Sequence, residues 1–346
     1  MAHALFTKLN QIRKKKYFDS LFKPRKKYAF IGVGIHSLTN LYPLLHYFGV
    51  DLKYICTEKS SWEKMNYFFP ASRLIHSLKD ITDDEEIEGV FVSASPQSHY
   101  NILIELFKSG KKVFVEKPPC SNLSELSNLV NLSKNNVCKV GLQRKYWPGN
   151  ELVHKNIQSA KTYIYQFHFG PYLHGDPFTE LFIHALHYCI HLFGEYAISS
   201  FSHKKNNKSI TTQIHVEHKK GISGLIELST DFSWTAPTDH LSVNCEGEIL
   251  EIGYPAFVKG YPKPRRLFNI PAERLLHQPV LSKEYFSIQN LIIPAVELNT
   301  LMLQGFYNEI NTFIKITENK ISDQPLNDLP ELIEVYRVIE ELKKNI

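Results

Sequence analysis

A lysine at the end of an apolar run is the first residue in this chain that could do chemistry. The run Val113-Phe114-Val115 is typical of a buried parallel strand, and Pro118 and Pro119 end it abruptly. In open α/β sheets, ligands bind outside the carboxyl ends of the strands. Lys117 would therefore project into such a crevice, where burial and nearby charges can tune an ammonium for proton transfer. For a lone Lys-Pro a surface lysine is the commoner case, so the rest of the chain has to decide.

Three titratable residues further along are spaced as on a helix. Glu180, His184 and His187 occupy positions that fall on one helical face, so an acid and two imidazoles would converge on one cleft. Histidine has the only unperturbed side-chain pKa near neutrality, which suits it to relay a hydroxyl proton. A single histidine on an apolar helix is usually a core residue. Three titratable groups on one face favour a functional site.

The same face carries Tyr188 and His191, so a zinc site is an alternative. Imidazoles at positions i, i+3 and i+7 could gather around a zinc ion. No cysteine or acidic cluster elsewhere in the sequence supplies the remaining ligands. We therefore expect no metal.

The elements that must position these residues begin with a glycine turn. Residues 28–34 predict a strand that runs into the turn, and a helix follows from residue 35 to residue 46. Gly32 and Gly34 allow the tight turn and the close backbone approach of a dinucleotide-binding crossover, with a pyrophosphate at the helix N-terminus. Ser37 stands where a third glycine is usual. By itself, this pattern fits an ordinary strand-to-helix turn equally well.

The end of the second strand bears on the choice of cofactor. The strand ends at Thr57, whereas an acid at that point would accept hydrogen bonds from the ribose hydroxyls of NAD. A hydroxyl followed by Lys59 suits a 2′-phosphate at least as well as a free diol. We favour NADP, and Glu58 is the acceptor if the cofactor is NAD.

Strands and helices alternate regularly as far as residue 142, which predicts a doubly wound parallel sheet, a Rossmann fold. Period-two alternation then marks a different layer, a mainly antiparallel sheet open on one face. Its predicted strands are 162–169, 211–217, 222–229 and 241–251. Residues 254–290 show little periodicity and predict a long excursion. Helices are expected at 301–317 and 330–344.

We expect an α/β domain followed by an α+β domain. The predicted parts are a basic arm at 1–27, a dinucleotide-binding Rossmann domain at 28–146, and a substrate-binding and oligomerisation domain at 147–346. The last helices of the chain are expected to pack back on the Rossmann domain.

Charge is concentrated in the arm. The chain has a formal charge of +5, but residues 1–27 carry nine bases and one acid, or +8, which leaves −3 for the rest. Apolar residues between the bases make contact with an anionic membrane surface an alternative. We favour packing of the arm on its own body or on a neighbouring subunit. No aromatic-interleaved basic stripe follows, so nucleic acid is not an expected partner.

The sequence predicts a cytoplasmic protein. No apolar run reaches the length of a membrane span, and the start lacks the features of a signal peptide. The five cysteines are scattered without a Cys-x-x-Cys pair, which fits thiols in a reducing compartment.

Four motifs occur in the order and spacing typical of one enzyme family. They are the glycine turn, Ser95-Pro96 with His99, Glu116-Lys117-Pro118, and the stretch from Val140 to Tyr146. From residue 28 onward the chain resembles the Gfo/Idh/MocA oxidoreductases. Its helix at 177–194 resembles the family pattern of an acid, a histidine and an aspartate, except that His187 replaces the aspartate.

The resemblance implies an NAD(P)-dependent oxidoreductase that transfers a hydride between a nicotinamide cofactor and the hydroxyl or ketone carbon of a sugar, sugar nucleotide or polyol. It also implies a homo-oligomer, a dimer or a tetramer. The expected cofactor residues are Gly32, Gly34, Ile35, Thr57, Lys59, Ser95, Pro96, His99 and Glu116. The expected catalytic residues are Lys117 and His184 as proton relay, with Glu180 orienting them, and the expected substrate contacts are Arg144, Lys145, Tyr146 and His187. The alternatives are an imine or enone reductase on the same fold, or a non-catalytic dinucleotide-binding sensor or scaffold.

Overall fold

The computed structural model describes residues 7–14, 24–58, 65–67, 69–232, 237–264, 266–276, 282–288, 296–322 and 325–344. The chain divides into two units. Unit 1 comprises Met1–Glu116, Leu132–Lys139 and Ile310–Asn327, and unit 2 comprises Lys117–Asn131, Val140–Glu309 and Asp328–Ile346. The expected boundary at residue 146 follows from the order of the predicted strands alone. In the structure the chain crosses between the two units several times, and the first crossing lies between Glu116 and Lys117.

Unit 1 is built on a six-stranded sheet in the order β3-β2-β1-β4-β5-β6. The pairs β1–β2, β1–β4, β2–β3 and β4–β5 are parallel, which confirms the doubly wound sheet. Its strands are β1 (Lys27–Ile31), β2 (Asp51–Cys56), β3 (Arg73–Ile75), β4 (Ile87–Val92), β5 (Lys112–Val115) and β6 (Cys138–Val140). The helices along this part of the chain are α1 (7–14), α2 (Tyr42–Phe48), α3 (Lys79–Thr82), α4 (Pro96–Lys108) and α5 (Leu123–Leu132).

Aromatic side chains fill the core of unit 1. Phe91 and Phe114 on neighbouring central strands are fully buried, because a parallel sheet is covered on both faces. Phe313, which belongs to the late segment of this unit, packs its ring against both, with centroid distances of 5.0 Å to Phe91 and 5.9 Å to Phe114. The end of the chain thus contributes directly to this core.

Unit 2 is built on an eight-stranded sheet in the order β16-β13-β12-β11-β7-β10-β9-β8. Every pair in it is antiparallel except β7–β10. Its strands are β7 (Ala160–His168), β8 (Tyr196–Asn206), β9 (Ser209–His218), β10 (Ser223–Ser229), β11 (Thr238–Cys245), β12 (Glu248–Gly253), β13 (Phe257–Pro262) and β16 (Lys283–Ser287), while β14 (Arg266–Leu267) and β15 (Ile270–Pro271) form a separate hairpin. The remaining helices are α6 (Asn150–Asn156), α7 (Ile183–Phe193), α8 (Ala272–Leu276), α9 (Val296–Leu303), α10 (Phe306–Thr317) and α11 (Leu332–Lys343).

One face of this sheet packs under α7. Tyr163 stacks on Phe193 with ring centroids 4.5 Å apart, and Tyr165 meets Tyr188 edge-on. Ile164, between the two tyrosines, points to the opposite face and is 51% exposed. The period-two alternation therefore predicts correctly which side chains of this strand are buried. The expected mainly antiparallel open sheet is confirmed.

Two predicted elements differ from the structure. The excursion expected at 254–290 contains β13 and β16, whose alternation is obscured by the prolines around it. The helix expected at 301–317 is broken at Gly305, which has φ +93° and whose Cβ would come within 2.1 Å of the Gln143 carbonyl oxygen. Only glycine fits there, so the chain turns and α10 begins anew.

The basic arm is described only in part. In α1, Leu9 and Ile12 are 51% and 47% exposed, so within this single chain the segment does not bury its apolar face. Packing on a neighbouring subunit and contact with a membrane surface stay predictions. Within the described residues, no helix has both the length and the apolar character needed to cross a bilayer.

Candidate functional site

The glycine turn of unit 1 leaves open backbone at the carboxyl end of β1. Gly32 has φ +104°, and a Cβ there would lie 2.2 Å from the Ser93 carbonyl oxygen, so only glycine is accommodated. A Cβ on Gly34 would meet nothing within 4 Å. The Ser37 hydroxyl closes the turn, since its Oγ accepts from the Gly34 N–H and donates to the Gly34 carbonyl, both at 2.9 Å. Ser37 therefore stands in the place of the third glycine and fixes the turn through these two hydrogen bonds.

A cleft of about 620 Å³ lies beside this turn. It lies at the carboxyl ends of β1, β2 and β4, where doubly wound folds bind their ligands. Its volume is in the usual range for small-molecule and cofactor sites. The lining residues are Ile31, Gly32, Val33, Gly34, Cys56, Thr57, Glu58, His76, Ser93, Ala94, Ser95 and Ser98. Backbone open at Gly34, small side chains and several hydroxyls fit the pyrophosphate and ribose groups of a dinucleotide.

The structure divides the expected cofactor residues. Gly32, Gly34, Thr57 and Ser95 line the cleft, and Ile35, the residue after Gly34, is 83% exposed. Lys59 lies outside the described residues. Glu58 and His76 line the cleft beside Thr57, because the Thr57 N–H bonds the Ile75 carbonyl and so holds the ends of β2 and β3 together.

Pro96 and His99 lie next to the residues that line the cleft, and their contact with a cofactor stays a prediction. Pro96 is the first residue of α4, where a missing N–H costs nothing. The His99 ring is 1% exposed, and its Nε2 lies 3.1 Å from the Ala94 carbonyl oxygen. His99 thus supports the loop that carries Ser95.

Glu116 follows β5 with a buried carboxylate. Its Oε1 lies 3.1 Å from the Nε2 of His36, but the pair lacks the geometry of a hydrogen bond. The other ring nitrogen of His36 contacts the Asn40 amide at 3.1 Å. Buried polar oxygens normally have a hydrogen-bond donor, so Oε1 can accept one from a ligand hydroxyl. Nothing in the sequence pointed to His36.

Lys117, the next residue, is the first of unit 2. Its Nζ donates a hydrogen bond to the main-chain carbonyl of Glu180. That carbonyl belongs to a π-helical turn (Phe178–Phe182), a feature often found at functional sites. The turn leads directly into α7, so Lys117 is attached to the helix that carries His184 and His187. The structure thus joins Lys117 to the turn before α7, and a shared site with the two histidines stays a prediction.

The Glu180 carboxylate has a different task from the one expected. It accepts hydrogen bonds from the Tyr172 hydroxyl at 2.8 Å and from the Asp176 N–H at 3.0 Å. A Cβ on Gly175 would lie 2.3 Å from this carboxylate. Its side chain therefore holds the loop before α7, and its main-chain oxygen accepts the hydrogen bond of Lys117. Burial and the bond to Glu180 both raise the pKa of Tyr172, which stays a phenol.

His187 is paired with an acid from the end of the chain. His187 is 2% exposed, and its Nε2 lies 3.4 Å from an oxygen of Glu331. Glu331 ends a 3₁₀ turn (Leu329–Glu331) just before α11, and its other oxygen accepts a hydrogen bond from Lys145. Lys145 also contacts Asp328 at 3.2 Å. His184, also on α7, is 8% exposed.

The electrostatic interactions of Glu331 and Lys145 favour the ionised form of each side chain. Burial works to raise the pKa of Glu331, but the hydrogen bond with His187 and the ammonium of Lys145 outweigh it and hold the pKa below the ordinary range. Burial works to lower the pKa of Lys145, and the charges of Asp328 and Glu331 reverse this and raise it. Both groups are ionised at neutral pH.

Arg144 is occupied within unit 2. Its Nε and Nη2 donate to one oxygen of Asp239 at 3.1 and 2.5 Å, and Tyr165 donates to the other oxygen at 2.8 Å. The guanidinium lies 5.0 Å from the ring of Phe167 and 4.6 Å from that of Tyr254. These contacts give Arg144 a structural role rather than the expected substrate contact.

Tyr146 is also enclosed. Burial raises the pKa of its phenol well above the ordinary value, and its main-chain carbonyl accepts from the Asn308 amide at 3.1 Å. Its place beside a substrate stays a prediction.

Histidines on α6 and α7 form a further pair, with Nε2 of His154 and His191 3.1 Å apart. Burial lowers the pKa of His191 to about 3, and the neighbouring His187, His154 and Lys145 add to this effect. Among the described residues, no group of three or more His, Cys, Asp or Glu side chains could hold a metal ion.

Comparison with known proteins gives a family match in the first part of the chain. Residues 26–143 match the model of the GFO_IDH_MocA family, described as an oxidoreductase family with an NAD-binding Rossmann fold. This part of the chain is therefore similar to the nucleotide-binding part of that family. An uncharacterized oxidoreductase of Schizosaccharomyces pombe is 28% identical over 134 residues, 37% of this chain and 36% of that protein. The scyllo-inositol 2-dehydrogenase (NADP(+)) of Bacillus subtilis is 31% identical over 112 residues, 31% of each chain. The chain thus spans about a third of the length of these curated relatives.

Solved structures extend the likeness of the fold beyond that unit. A dehydrogenase from Chromobacterium violaceum has a TM-score of 0.77 at 16% identity, covering 92% of this chain and 95% of that one. A 3-ketoreductase from Actinomadura kijaniata, in complex with NADP and TDP-benzene, has a TM-score of 0.70 at 11% identity, covering 92% and 97%. At these identities the likeness concerns the fold alone.

Proposed function

We propose that this protein is an NAD(P)-dependent oxidoreductase that transfers a hydride between nicotinamide and the hydroxyl or ketone carbon of a sugar, sugar nucleotide or polyol. One observation carries the proposal: Glu116 and Lys117 are consecutive residues, about 3.8 Å apart at their Cα atoms. The first offers a buried carboxylate oxygen in the nucleotide-binding unit. The second is bonded to the turn that leads to His184. Cofactor binding and proton transfer are thus assigned to consecutive residues of the chain.

The residues of unit 1 would hold the cofactor. Backbone open at Gly34 accommodates a pyrophosphate near the start of the following helix. Glu116 accepts a hydrogen bond from a ribose hydroxyl. The bound nicotinamide supplies the hydride acceptor or donor, so the chain has to supply position and a path for the proton.

The residues of unit 2 would handle the proton. When an alcohol is oxidised, its carbon loses a hydride and its hydroxyl loses a proton. Lys117 in its neutral form accepts that proton at Nζ, and in the reverse direction it returns the proton to the forming hydroxyl. The bond to the Glu180 carbonyl orients the amine. His184 is the second relay group, since its imidazole titrates near neutrality when unperturbed.

For the cofactor we favour NADP over NAD. Thr57 and His76 line the cleft at the ends of β2 and β3, and both can donate hydrogen bonds to a 2′-phosphate. The related scyllo-inositol 2-dehydrogenase is an NADP(+) enzyme. Glu58 also lines the cleft and is the acceptor through which NAD would be recognised.

For the substrate we favour a carbohydrate-like molecule with a neutral reacting end. Arg144 is already paired with Asp239, and Lys145 with two acids, so neither side chain is available to a substrate carboxylate without breaking an ion pair. A polyol or sugar ring instead needs hydroxyl partners. We further propose a cytoplasmic dimer or tetramer.

The test is a fluorescence titration with NADH and NADPH, followed by a screen of polyols, keto-sugars and sugar nucleotides for cofactor turnover. We expect nucleotide binding and turnover of at least one such compound. Failure to bind either nucleotide would refute the proposal. Binding without turnover of these compounds would favour the sensor or scaffold alternative, and turnover only of imines or enones would favour a reductase of that class.

A further inference from the structure

Glu331 is a half-buried acid that the sequence did not single out, and it links two residues of the proposed site. One carboxylate oxygen accepts a hydrogen bond from Lys145, and the other faces Nε2 of His187 at 3.4 Å. The acid comes from the last 3₁₀ turn of the chain, 144 residues after His187. Neither partner is close to it in sequence.

We propose that Glu331 is a positioning residue that fixes the tautomer of His187. The low pKa of the Glu331 carboxyl keeps it ionised at neutral pH, so its oxygens only accept hydrogen bonds. Nε2 of a neutral His187 therefore carries the proton, and Nδ1 keeps its lone pair. Second partners of this kind set which imidazole nitrogen is the acceptor. If the proposed oxidoreductase function holds, His187 presents Nδ1 as a hydrogen-bond acceptor for a substrate hydroxyl.

The distance of 3.4 Å is long for an N–H···O bond. We attribute this length to Lys145, because its ammonium binds the other oxygen of the same carboxylate. The ammonium of Lys145 also forms an ion pair with Asp328. Catalytic hydrogen bonds are also often long before the substrate arrives. Lys145 thus acts on the carboxylate, and through it on the imidazole.

The other groups around His187 leave this assignment intact. His191 stacks on the His187 ring at a centroid distance of 6.3 Å, and its pKa of about 3 makes it neutral at physiological pH. His154 lies beyond it against His191, and burial lowers its pKa as well. His184 lies one turn earlier on α7. In the described part of the chain, Glu331 is the anion that faces the imidazole directly.

The test is imidazole nitrogen NMR on the full-length protein at pH 8, where an unperturbed histidine is neutral. The His187 signal is assigned by its loss in His187→Asn. We expect the Nε2–H tautomer in the wild type and a mixture of tautomers in Glu331→Gln, because an amide can donate as well as accept. Glu334→Gln is the matched control, since Glu334 lies on α11 and pairs with the exposed Arg337. It should leave the signal unchanged.

An Nδ1–H tautomer in the wild type would overturn the proposal even if Glu331→Gln failed to fold. An unchanged Nε2–H tautomer in a folded Glu331→Gln would overturn it too. With a substrate in hand, Glu331→Gln should lower kcat about 10- to 100-fold and leave nucleotide affinity within threefold. Because the tautomer is measured without cofactor or substrate, this inference and the proposed oxidoreductase function can fail separately.

Discussion

Lys117 donates a hydrogen bond to the main-chain carbonyl of Glu180, whereas the Glu180 carboxylate accepts hydrogen bonds from Tyr172 and from the Asp176 N–H. A side-chain substitution at residue 180 therefore leaves the acceptor of Lys117 in place, although it loosens the loop that the carboxylate holds. Glu180 thus has two separable roles, one for each end of the residue.

The first prediction concerns proton transfer by Lys117. Lys117→Met should cut turnover by roughly 10²–10⁴, the usual contribution of general acid–base catalysis, and leave nucleotide affinity within about threefold. The matched control is Lys108→Met, because Lys108 is an exposed lysine at the end of α4 that pairs with Glu105. Steady-state rates and cofactor titrations on the same preparations separate the two effects.

The relay also predicts how Lys117 and His184 combine. His184→Ala should lower turnover in the same way, and the double variant should lose little more than the worse single one, because residues that act as a unit are not additive. A purely structural His184 would instead show a lowered Tm together with lost cofactor binding. Fully additive losses would speak against a shared proton path.

Cofactor choice gives the next prediction. Lys59→Ala should weaken the binding of NADPH, but not of NADH, by about 1.5–3 kcal/mol, the usual contribution of a hydrogen bond to a charged group. Glu58→Ala should leave NADPH affinity unchanged or raise it, since a carboxylate repels a 2′-phosphate. An equal loss of affinity for NADPH and NADH in Lys59→Ala would contradict the assignment to NADP. A preference for NADH that Glu58→Ala abolishes would contradict it too.

The buried Arg144–Asp239 pair predicts a large effect on stability. Asp239→Asn leaves the guanidinium without its counter-charge and should destabilise the fold by about 3–5 kcal/mol. Arg144→Met combined with Asp239→Asn should cost less than Asp239→Asn alone, because no buried charge is then left unpaired. Urea unfolding of the three variants measures this. A double variant that is less stable than Asp239→Asn would show that the guanidinium stabilises the fold without its partner.

Glu331 predicts how stability depends on pH. Its pKa is lower in the folded protein than its ordinary value of 4.5, so the folded state favours the carboxylate. The stabilisation is fully present above the unfolded pKa and is lost as the pH falls below about 5 toward the folded pKa. Glu331→Gln should flatten the fall of Tm between pH 5 and pH 3 relative to the wild type. Identical slopes would mean that the carboxyl titrates normally.

Local pattern predicted the parts of the site that depend on neighbours in sequence. The glycine turn at Gly32 and Gly34, and Lys117 at a strand end, follow from strand-to-turn chemistry. Spacing on one helix placed His184 and His187 together. The ion pairs could not be predicted from local pattern. Asp239 lies 95 residues from Arg144, and Glu331 lies 144 residues from His187. Such pairings depend on the tertiary fold, and only the structure shows that Arg144 is already occupied.

The measurement that tests the central claim most directly is NADPH binding to wild type and to Gly34→Val. A Cβ at Gly34 would meet nothing within 4 Å, so we expect valine there to leave Tm nearly unchanged while blocking the approach of a pyrophosphate to the backbone. Gly247→Val is the control, since a Cβ there also meets nothing within 4 Å. We predict binding by the wild type and by Gly247→Val, and at least tenfold weaker binding by Gly34→Val. Absence of binding by the wild type, or full affinity in Gly34→Val, would contradict the account.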